Sequence, residues 1–236
     1  MYLIPILYAI AGALLTIMYG AIMFSFTKKK TSHLVYVFSL TILFFALFAW
    51  FISLPVFFAN GNMQIIFWGY TAAAATTFGT IYVGLIVQSY LSNTAFRNHF
   101  HLWKMLTVLV ALIAIILNIL YPKIPTIEHG VLIWHANIIT ALLIAGIYFI
   151  YSIYWIRFFV NFSRILTTRE QKRNMIMLAI NGFCGGLGSI LVFGTGHWIM
   201  TLIGASLYVL GALLSLLVFV VIPIFKGSSQ QIQSPF

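Results

Sequence analysis

Residues 108–120 read VLVALIAIILNIL, a run without a charged side chain and with a single polar one, Asn118. Polar and apolar residues do not alternate in this run, so it does not fit a strand of a membrane barrel. An apolar helix, by contrast, makes its backbone hydrogen bonds within itself and is therefore stable inside a bilayer. Charged residues make up only 6% of the 236-residue chain, about a quarter of the share in soluble domains. The composition therefore excludes a soluble fold and predicts a polytopic α-helical membrane protein.

Apolar runs of this kind recur along the whole chain. Seven of them reach about 20 residues or more, and each can cross about 30 Å of hydrocarbon as a helix. We predict an all-α fold, a polytopic seven-transmembrane-helix bundle at residues 1–226 that is followed by a short cytoplasmic tail at 227–236. The predicted spans are 3–26, 34–58, 65–91, 102–121, 136–161, 174–194 and 198–225.

The distribution of Lys and Arg predicts how the bundle lies in the membrane. Basic residues are retained on the cytoplasmic side of short loops, and eleven of the twelve fall in or near odd-numbered loops or at the C-terminal end, against Lys123 alone on the other side. We therefore predict an outside N-terminus and a cytoplasmic C-terminus. In this orientation most of the net charge of +10 faces anionic lipid. The basic residues therefore do not require a nucleic acid partner. The eleven residues are Lys28, Lys29, Lys30, Arg97, Lys104, Arg157, Arg164, Arg169, Lys172, Arg173 and Lys226.

Acidic residues are missing from the predicted spans, since Glu128 lies in an outer loop and Glu170 in an inner one. Proton-coupled carriers and carboxylate metal sites need ionisable groups within the membrane, and the basic inner loops at 96–101 and 163–174 contain no Gly-rich phosphate loop or catalytic constellation. Cys184 is the only cysteine, which excludes an internal disulfide. We expect no catalytic residue, no cofactor and no enzyme activity.

Small residues indicate where helices pack closely. Gly182 and Gly186 form a GxxxG pair in helix six, and Gly211 with Ser215 repeats the small-xxx-small spacing in helix seven. Packing on a neighbouring helix of the same chain is the favoured interpretation, and a homodimer face is the alternative. The run AAAATT at 72–77 predicts that helix three is the most buried helix.

The outer halves of helices four and five carry polar residues that suit a binding site. Asn118, Asn137 and Thr140 lie near Trp134 in the predicted topology and would line an outward-facing cavity. The candidate ligand-binding residues are Trp68, Asn118, Trp134, Asn137 and Thr140.

Tryptophan prefers the interface between headgroups and hydrocarbon. Five of the six tryptophans fall near a predicted boundary, whereas Trp50 lies deeper in helix two and is expected to pack between helices. The predicted outer boundary holds Trp68, Trp134 and Trp198, and the inner one holds Trp103 and Trp155.

The outer loops also contain one carboxylate and three imidazoles, at Glu128, His129, His135 and His197. Such groups suit zinc, but the spacing is not diagnostic, because His129 and His135 are six residues apart in what we take as an irregular loop. Solvated histidines are the favoured interpretation over a metal site. A sensor of external pH is a related alternative.

The whole layout resembles the N-terminal seven-helix sensor region of bacterial histidine kinases and related signalling proteins. The resemblance rests on an aromatic helix two with FFALFAWFISL at 44–54, FWGYTAAAATTFGT at 67–80, the basic TTREQKRN at 167–174 and a Gly-rich helix six. It implies a bundle in the bacterial plasma membrane that senses a stimulus at or outside the membrane. Because the chain ends soon after helix seven, it would signal through a separate cytoplasmic protein.

The sequence therefore predicts a non-enzymatic, membrane-embedded domain that is sensory or receptor-like. The alternatives are a small solute transporter or channel, and a subunit of a larger membrane complex. A polar path through both leaflets would favour transport, a cavity closed on the cytoplasmic side would favour sensing, and a large apolar lateral face would favour assembly.

Overall fold

The computed structural model describes residues 3–29, 33–91 and 97–218, and this part of the chain forms seven long helices and a small β-hairpin. The prediction of an all-α seven-helix bundle is confirmed. The helices contain 19 to 29 residues, which corresponds to about 28 to 44 Å, enough to cross a bilayer. The helices are α1 Leu3–Lys29, α2 His33–Phe58, α3 Met63–Leu91, α4 Arg97–Leu120, α5 Ile138–Ile165, α6 Arg169–Gly194 and α7 Trp198–Leu216.

Some of the sequence predictions fall outside this part of the chain. The tail at 227–236, the predicted end of helix seven at 225, and the basic residues Lys30 and Lys226 all lie outside the described residues.

Local sequence explains several helix boundaries. Between α2 and α3, Asn60 and Gly61 both have positive φ, 46° and 84°, and Gly and Asn are the residues that adopt this conformation most readily. At the start of α6, the Thr168 side chain accepts a hydrogen bond from the Gln171 backbone N–H at 3.3 Å. Both α5 and α6 continue past the predicted spans, so only residues 166–168 separate them.

The seven helices form a closed ring. Each helix packs against its neighbours in sequence, and α7 returns to pack against α1. In α3, 72% of the most apolar window is buried, the highest share of the seven, which confirms the prediction from AAAATT, whereas α4 has the lowest share, 17%. We call the end of the ring with residues 59–62, the β-hairpin and residues 195–197 the hairpin end, and the end with residues 166–168 the basic end.

Two glycines bring α6 against α5. A Cβ atom on Gly186 would collide with the Ser152 side chain, and one on Gly182 would collide with the indole of Trp155. The same indole donates a hydrogen bond from Nε1 to the Leu178 carbonyl oxygen at 3.0 Å. The GxxxG pair is therefore used for packing within the chain.

Close approach continues between α6 and α7. Cβ atoms built on Gly188 and Gly204 would lie 2.9 and 2.7 Å from each other's carbonyl oxygens, so the two backbones are nearly in contact. Further along, a Cβ on Gly211 would lie 2.7 Å from Asn181 Oδ1, and Asn181 Nδ2 donates to Ser215 Oγ at 2.5 Å. The second small-residue pair thus packs α7 on α6.

Two of the tryptophans assigned to a predicted boundary are buried in the bundle. Trp134 and Trp155 are only 1% and 4% exposed. Burial of a large ring is favourable where it fills an interior gap, and the Trp155 N–H also finds a backbone acceptor there. Trp50 packs between α1 and α2, as expected, and its Nε1 donates to Thr16 Oγ1 at 3.1 Å.

Candidate functional site

The connection between α4 and α5 is a β-hairpin, not the irregular loop expected from the sequence. Strand β1 (Thr126–Glu128) pairs antiparallel with β2 (Val131–Ile133). The two turn residues, His129 and Gly130, have φ of 49° and 75°, as a two-residue type I′ turn requires. The sequence signal was the X-Gly pair between β-branched residues, which is short and easily overlooked.

The hairpin inserts one strand into the bundle. All three residues of β2 are buried, whereas all three of β1 are exposed. Strand β2 contacts both α7 and α1. Because its side chains are apolar, β2 plugs the mouth of the ring at the hairpin end.

Trp134 follows β2 directly and extends the plug. Its ring stacks on Tyr70 of α3 with centroids 5.7 Å apart and planes at 20°. The same ring packs against Phe193 of α6 in a T-shaped arrangement, with the two ring centroids 5.0 Å apart. The indole thus fills the space between α3 and α6.

A narrow crevice lies beside this indole, between α3, α4 and α5. It contains Asn118, Trp134 and Thr140, three of the five residues predicted to bind a ligand, but it leaves no room even for a water molecule. The expected outward-facing cavity is therefore closed in this structure. The lining residues are Thr71, Ala74, Phe78, Ala114, Ile115, Asn118, Trp134, Thr140 and Ile144.

Hydrogen bonds fix most of the polar groups in the crevice. The Thr71 hydroxyl donates to the Phe67 carbonyl at 2.9 Å and accepts from Asn118 Nδ2 at 2.8 Å. Because the hydroxyl proton is already used, this pair orients the Asn118 amide with its nitrogen toward Thr71. Thr140 Oγ1 donates to the Ala114 carbonyl at 3.4 Å, a long and weak bond.

Two polar atoms of the crevice have no partner. Asn118 Oδ1 and Trp134 Nε1 are buried and make no hydrogen bond, although their residues are only 2% and 1% exposed. A buried unsatisfied polar group costs about 1 to 3 kcal/mol. The two residues with these unpaired atoms, one an acceptor and one a donor, therefore line the same crevice, which contains no ionisable side chain.

The other two predicted ligand residues do not line the crevice. Trp68 is 49% exposed on the outer surface of α3 and packs edge-on against Phe67. Asn137 is the N-cap of α5, where its Oδ1 accepts from the Ile139 backbone N–H at 3.0 Å. An Asn directly before an apolar helix is typical of such a cap, so this role was readable from the sequence.

No protein-family model, curated protein or solved structure matches this chain. The evidence for the candidate site is therefore its side-chain geometry, and the resemblance to kinase sensor regions remains a prediction.

An aromatic chain leads from the site into the bundle. From Trp134 and Phe193 it continues to Phe48 of α2 at 5.9 Å, and from there to Tyr208 of α7 at 5.0 Å and Tyr8 of α1 at 5.7 Å. The Tyr208 hydroxyl donates to the Phe45 carbonyl of α2 at 2.7 Å. We call these rings, with Tyr70, the aromatic column; it contacts α1, α2, α3, α6 and α7. Tyr70 and Phe193 do not stand out in the sequence, because aromatic residues are frequent throughout the chain.

The histidines of the hairpin end each contact a neighbouring side chain. His135 Nε2 and Thr126 Oγ1 share a hydrogen bond of 2.6 Å across the hairpin. The rings of His129 and His197 lie 5.1 and 6.2 Å from the ring of Trp198. Within the described residues, which include Glu128 and all three of these histidines, no three His, Cys, Asp or Glu side chains are grouped so that they could hold a metal ion.

We predict that zinc does not bind at the hairpin end with micromolar affinity, because a zinc site needs at least three ligand atoms within about 2.0 to 2.2 Å of the ion. Isothermal titration at neutral pH should give the same weak heats for the wild type and for His129→Ala and His197→Ala. Micromolar binding that is lost in both variants would contradict this prediction.

Proposed function

We propose that this chain is a non-enzymatic, receptor-like membrane domain that binds a small molecule beneath the hairpin. The observation that carries the proposal is the unpaired acceptor of Asn118 and the unpaired donor of Trp134, buried under a strand that closes the mouth of the ring. These groups lack hydrogen-bond partners in the closed state, so a ligand that supplies the partners lowers the free energy of the protein when it binds. Binding would therefore favour a displaced hairpin.

In this proposal the bundle spans the cell membrane with its hairpin end outside. All seven helices are long and apolar enough to cross a bilayer, and five exposed basic residues lie at or near the basic end. These features support a multi-pass protein whose basic end faces the cytoplasm. The five residues are Arg157, Arg164, Arg169, Lys172 and Arg173.

The proposed orientation predicts opposite labelling of two exposed positions in a Cys184→Ser background. Lys123→Cys, near the hairpin, should react with an impermeant maleimide in intact cells. Thr167→Cys, between α5 and α6, should react only after the membrane is permeabilised. Labelling of Thr167→Cys alone in intact cells would reverse the orientation.

The aromatic column supports a route for the signal. A displaced Trp134 would remove the ring that Phe193 packs against, and Phe193 connects through Phe48 to Tyr208 of α7. Because α6 and α7 are in tight backbone contact, a shift of one would move the other. We propose that a separate cytoplasmic protein detects this shift at the basic end, as the resemblance to sensor regions implies.

Transport is the weaker alternative on this geometry. Two internal spaces among residues 3–29, 33–91 and 97–218 are each too small for a solute. The crevice beneath the hairpin admits no water, and a second space beside Gly185 and Gly211 measures about 10 Å³, the size that one water needs. A transporter would need a polar path between these spaces and both ends of the bundle.

Membership in a larger membrane complex has one observation in its favour. Only 17% of the apolar window of α4 is buried, and its exposed side chains from Leu102 onward, such as Met105 and Leu109, are all apolar. Lipid tails cover such a face as well as a partner helix does. A stable second subunit co-purified through α4, and lost in Leu109→Trp, would favour this candidate.

The receptor proposal can be tested without knowing the ligand. A spin label at Thr167→Cys, in a Cys184→Ser background, reports on the basic end while the plug is loosened at the opposite end. Trp134→Ala should change the label's mobility most and Trp134→Phe less, since the phenyl ring still fills part of the gap. Trp68→Ala, which removes an indole from the outer surface at the same end, serves as the matched control and should leave the spectrum unchanged.

Identical spectra for all four proteins, with helical content preserved, would remove the proposed coupling between the two ends. The gene neighbourhood gives an independent check, because an adjacent kinase or response-regulator gene supports signalling, whereas a permease operon opposes it.

A further inference from the structure

We propose that the crevice beneath the hairpin takes a small, flat, uncharged molecule that carries both a hydrogen-bond donor and an acceptor, as a primary carboxamide does. This inference rests on the proposed receptor function and names the chemical class of its ligand. It follows from the polar atoms that remain unpaired, from the absence of charge, and from the shape of the walls.

The unpaired atoms define the polar pattern of the ligand. Asn118 Nδ2 and the Thr71 hydroxyl are already committed to each other and to the backbone. The groups that remain are Asn118 Oδ1, which needs a donor, and Trp134 Nε1, which needs an acceptor. A ligand with only acceptors leaves Asn118 Oδ1 unpaired, and a ligand with only donors leaves Trp134 Nε1 unpaired.

The lining excludes a charged ligand. The crevice is formed by Thr, Asn, Ala, Ile, Phe and Trp side chains, without an acid, a base or a histidine among them. An ion placed there would lose its hydration and find no opposite charge, which is a large cost for any buried ion. The same argument separates a carboxamide from a carboxylate or an amidinium of almost identical shape.

The walls favour a flat ligand of about one ring. Trp134 stacks on Tyr70 in the closed state, and Phe78 is a second aromatic side chain that lines the crevice. No free space exists beside the indole, so a ligand enters only when the hairpin shifts, with the Trp134 indole retained as one wall of the crevice. The space released is then about that of one aromatic ring.

Benzamide and three relatives of nearly the same shape provide the probes. Benzamide offers both a donor and an acceptor, acetophenone only an acceptor, benzoate a negative charge and benzamidinium a positive one. With nine non-hydrogen atoms, a ligand of ordinary efficiency binds with a Kd of about 10 mM or tighter. Thermal unfolding of the purified chain in lipid nanodiscs, followed by tryptophan fluorescence, measures binding through the saturable rise in Tm.

We expect benzamide to raise the Tm and to bind about tenfold more tightly than acetophenone, the factor that corresponds to one lost hydrogen bond. Benzoate and benzamidinium should have no saturable effect. In Asn118→Leu and Trp134→Phe, which each remove one of the unpaired atoms, benzamide binding should weaken about tenfold. Trp68→Phe is the matched control for Trp134→Phe and should bind benzamide as the wild type does.

Two results would overturn the inference. One is binding of benzoate or benzamidinium that equals or exceeds that of benzamide, and the other is no saturable binding of any probe to the wild type at about 10 mM. Because these comparisons use the wild-type chain, they hold even where a variant fails to fold. The spin-label experiment at Thr167 does not use these probes, so a wrong ligand class and a wrong receptor function give different outcomes.

Discussion

Replacing Trp134 by Ala should lower the free energy of unfolding by about 4 kcal/mol, because truncation of a large buried aromatic residue leaves a cavity that its neighbours fill only partly. The ring is 1% exposed and packs against both Tyr70 and Phe193. These contacts are lost even if lipid or water does not enter the space. Reversible unfolding in mixed detergent micelles measures the change.

Trp68→Ala provides the control for this experiment. The same side chain is removed at the same end of the bundle, but Trp68 is 49% exposed, and we expect a loss of less than about 1 kcal/mol. Equal losses in the two variants would show that the indole of Trp134 is not held in the interior.

Gly186→Leu should cost about 3 kcal/mol, at the upper end of what overpacking usually costs. Even the first atom of a side chain at this position would collide with Ser152 of α5, so α5 and α6 must separate to admit it. The neighbouring Leu187 is only partly buried, and Leu187→Ile should cost less than about 1.5 kcal/mol. Thermal unfolding in detergent distinguishes the two, and equal stability of the variants would mean that Gly186 is not at a packed interface.

The number and approximate bounds of the helices could be predicted from the sequence because each is a long segment of nearly uniform hydropathy. A run such as 108–120 needs no knowledge of its neighbours to be recognised as a helix in lipid. The hairpin could not be recognised in this way. Its strands contain three residues each, and the burial of β2 depends on the width of the mouth that the seven helices leave open.

The candidate site was partly predictable for a similar reason. Asn118 stood out as the one polar residue in an apolar run, and Thr140 lies at the same depth in the next helix. Thr71 did not stand out, because a helical Thr usually bonds to its own backbone, as Thr71 does to Phe67. The burial of Trp134 depends on Tyr70 and Phe193, which are distant in sequence.

The contact that closes the ring also sets the order in which the protein can be completed during translation. Tyr8 of α1 meets Tyr208 of α7 with ring centroids 5.4 Å apart, and the ribosome takes about 10 to 40 s to add the 200 residues between them. Throughout this time the nascent chain carries an open seam along α1 that no later helix has yet covered. In the membrane location that we propose, lipid or an insertion chaperone occupies that seam until the last of the seven helices arrives, so a slowed or stalled α7 leaves an unsealed six-helix intermediate.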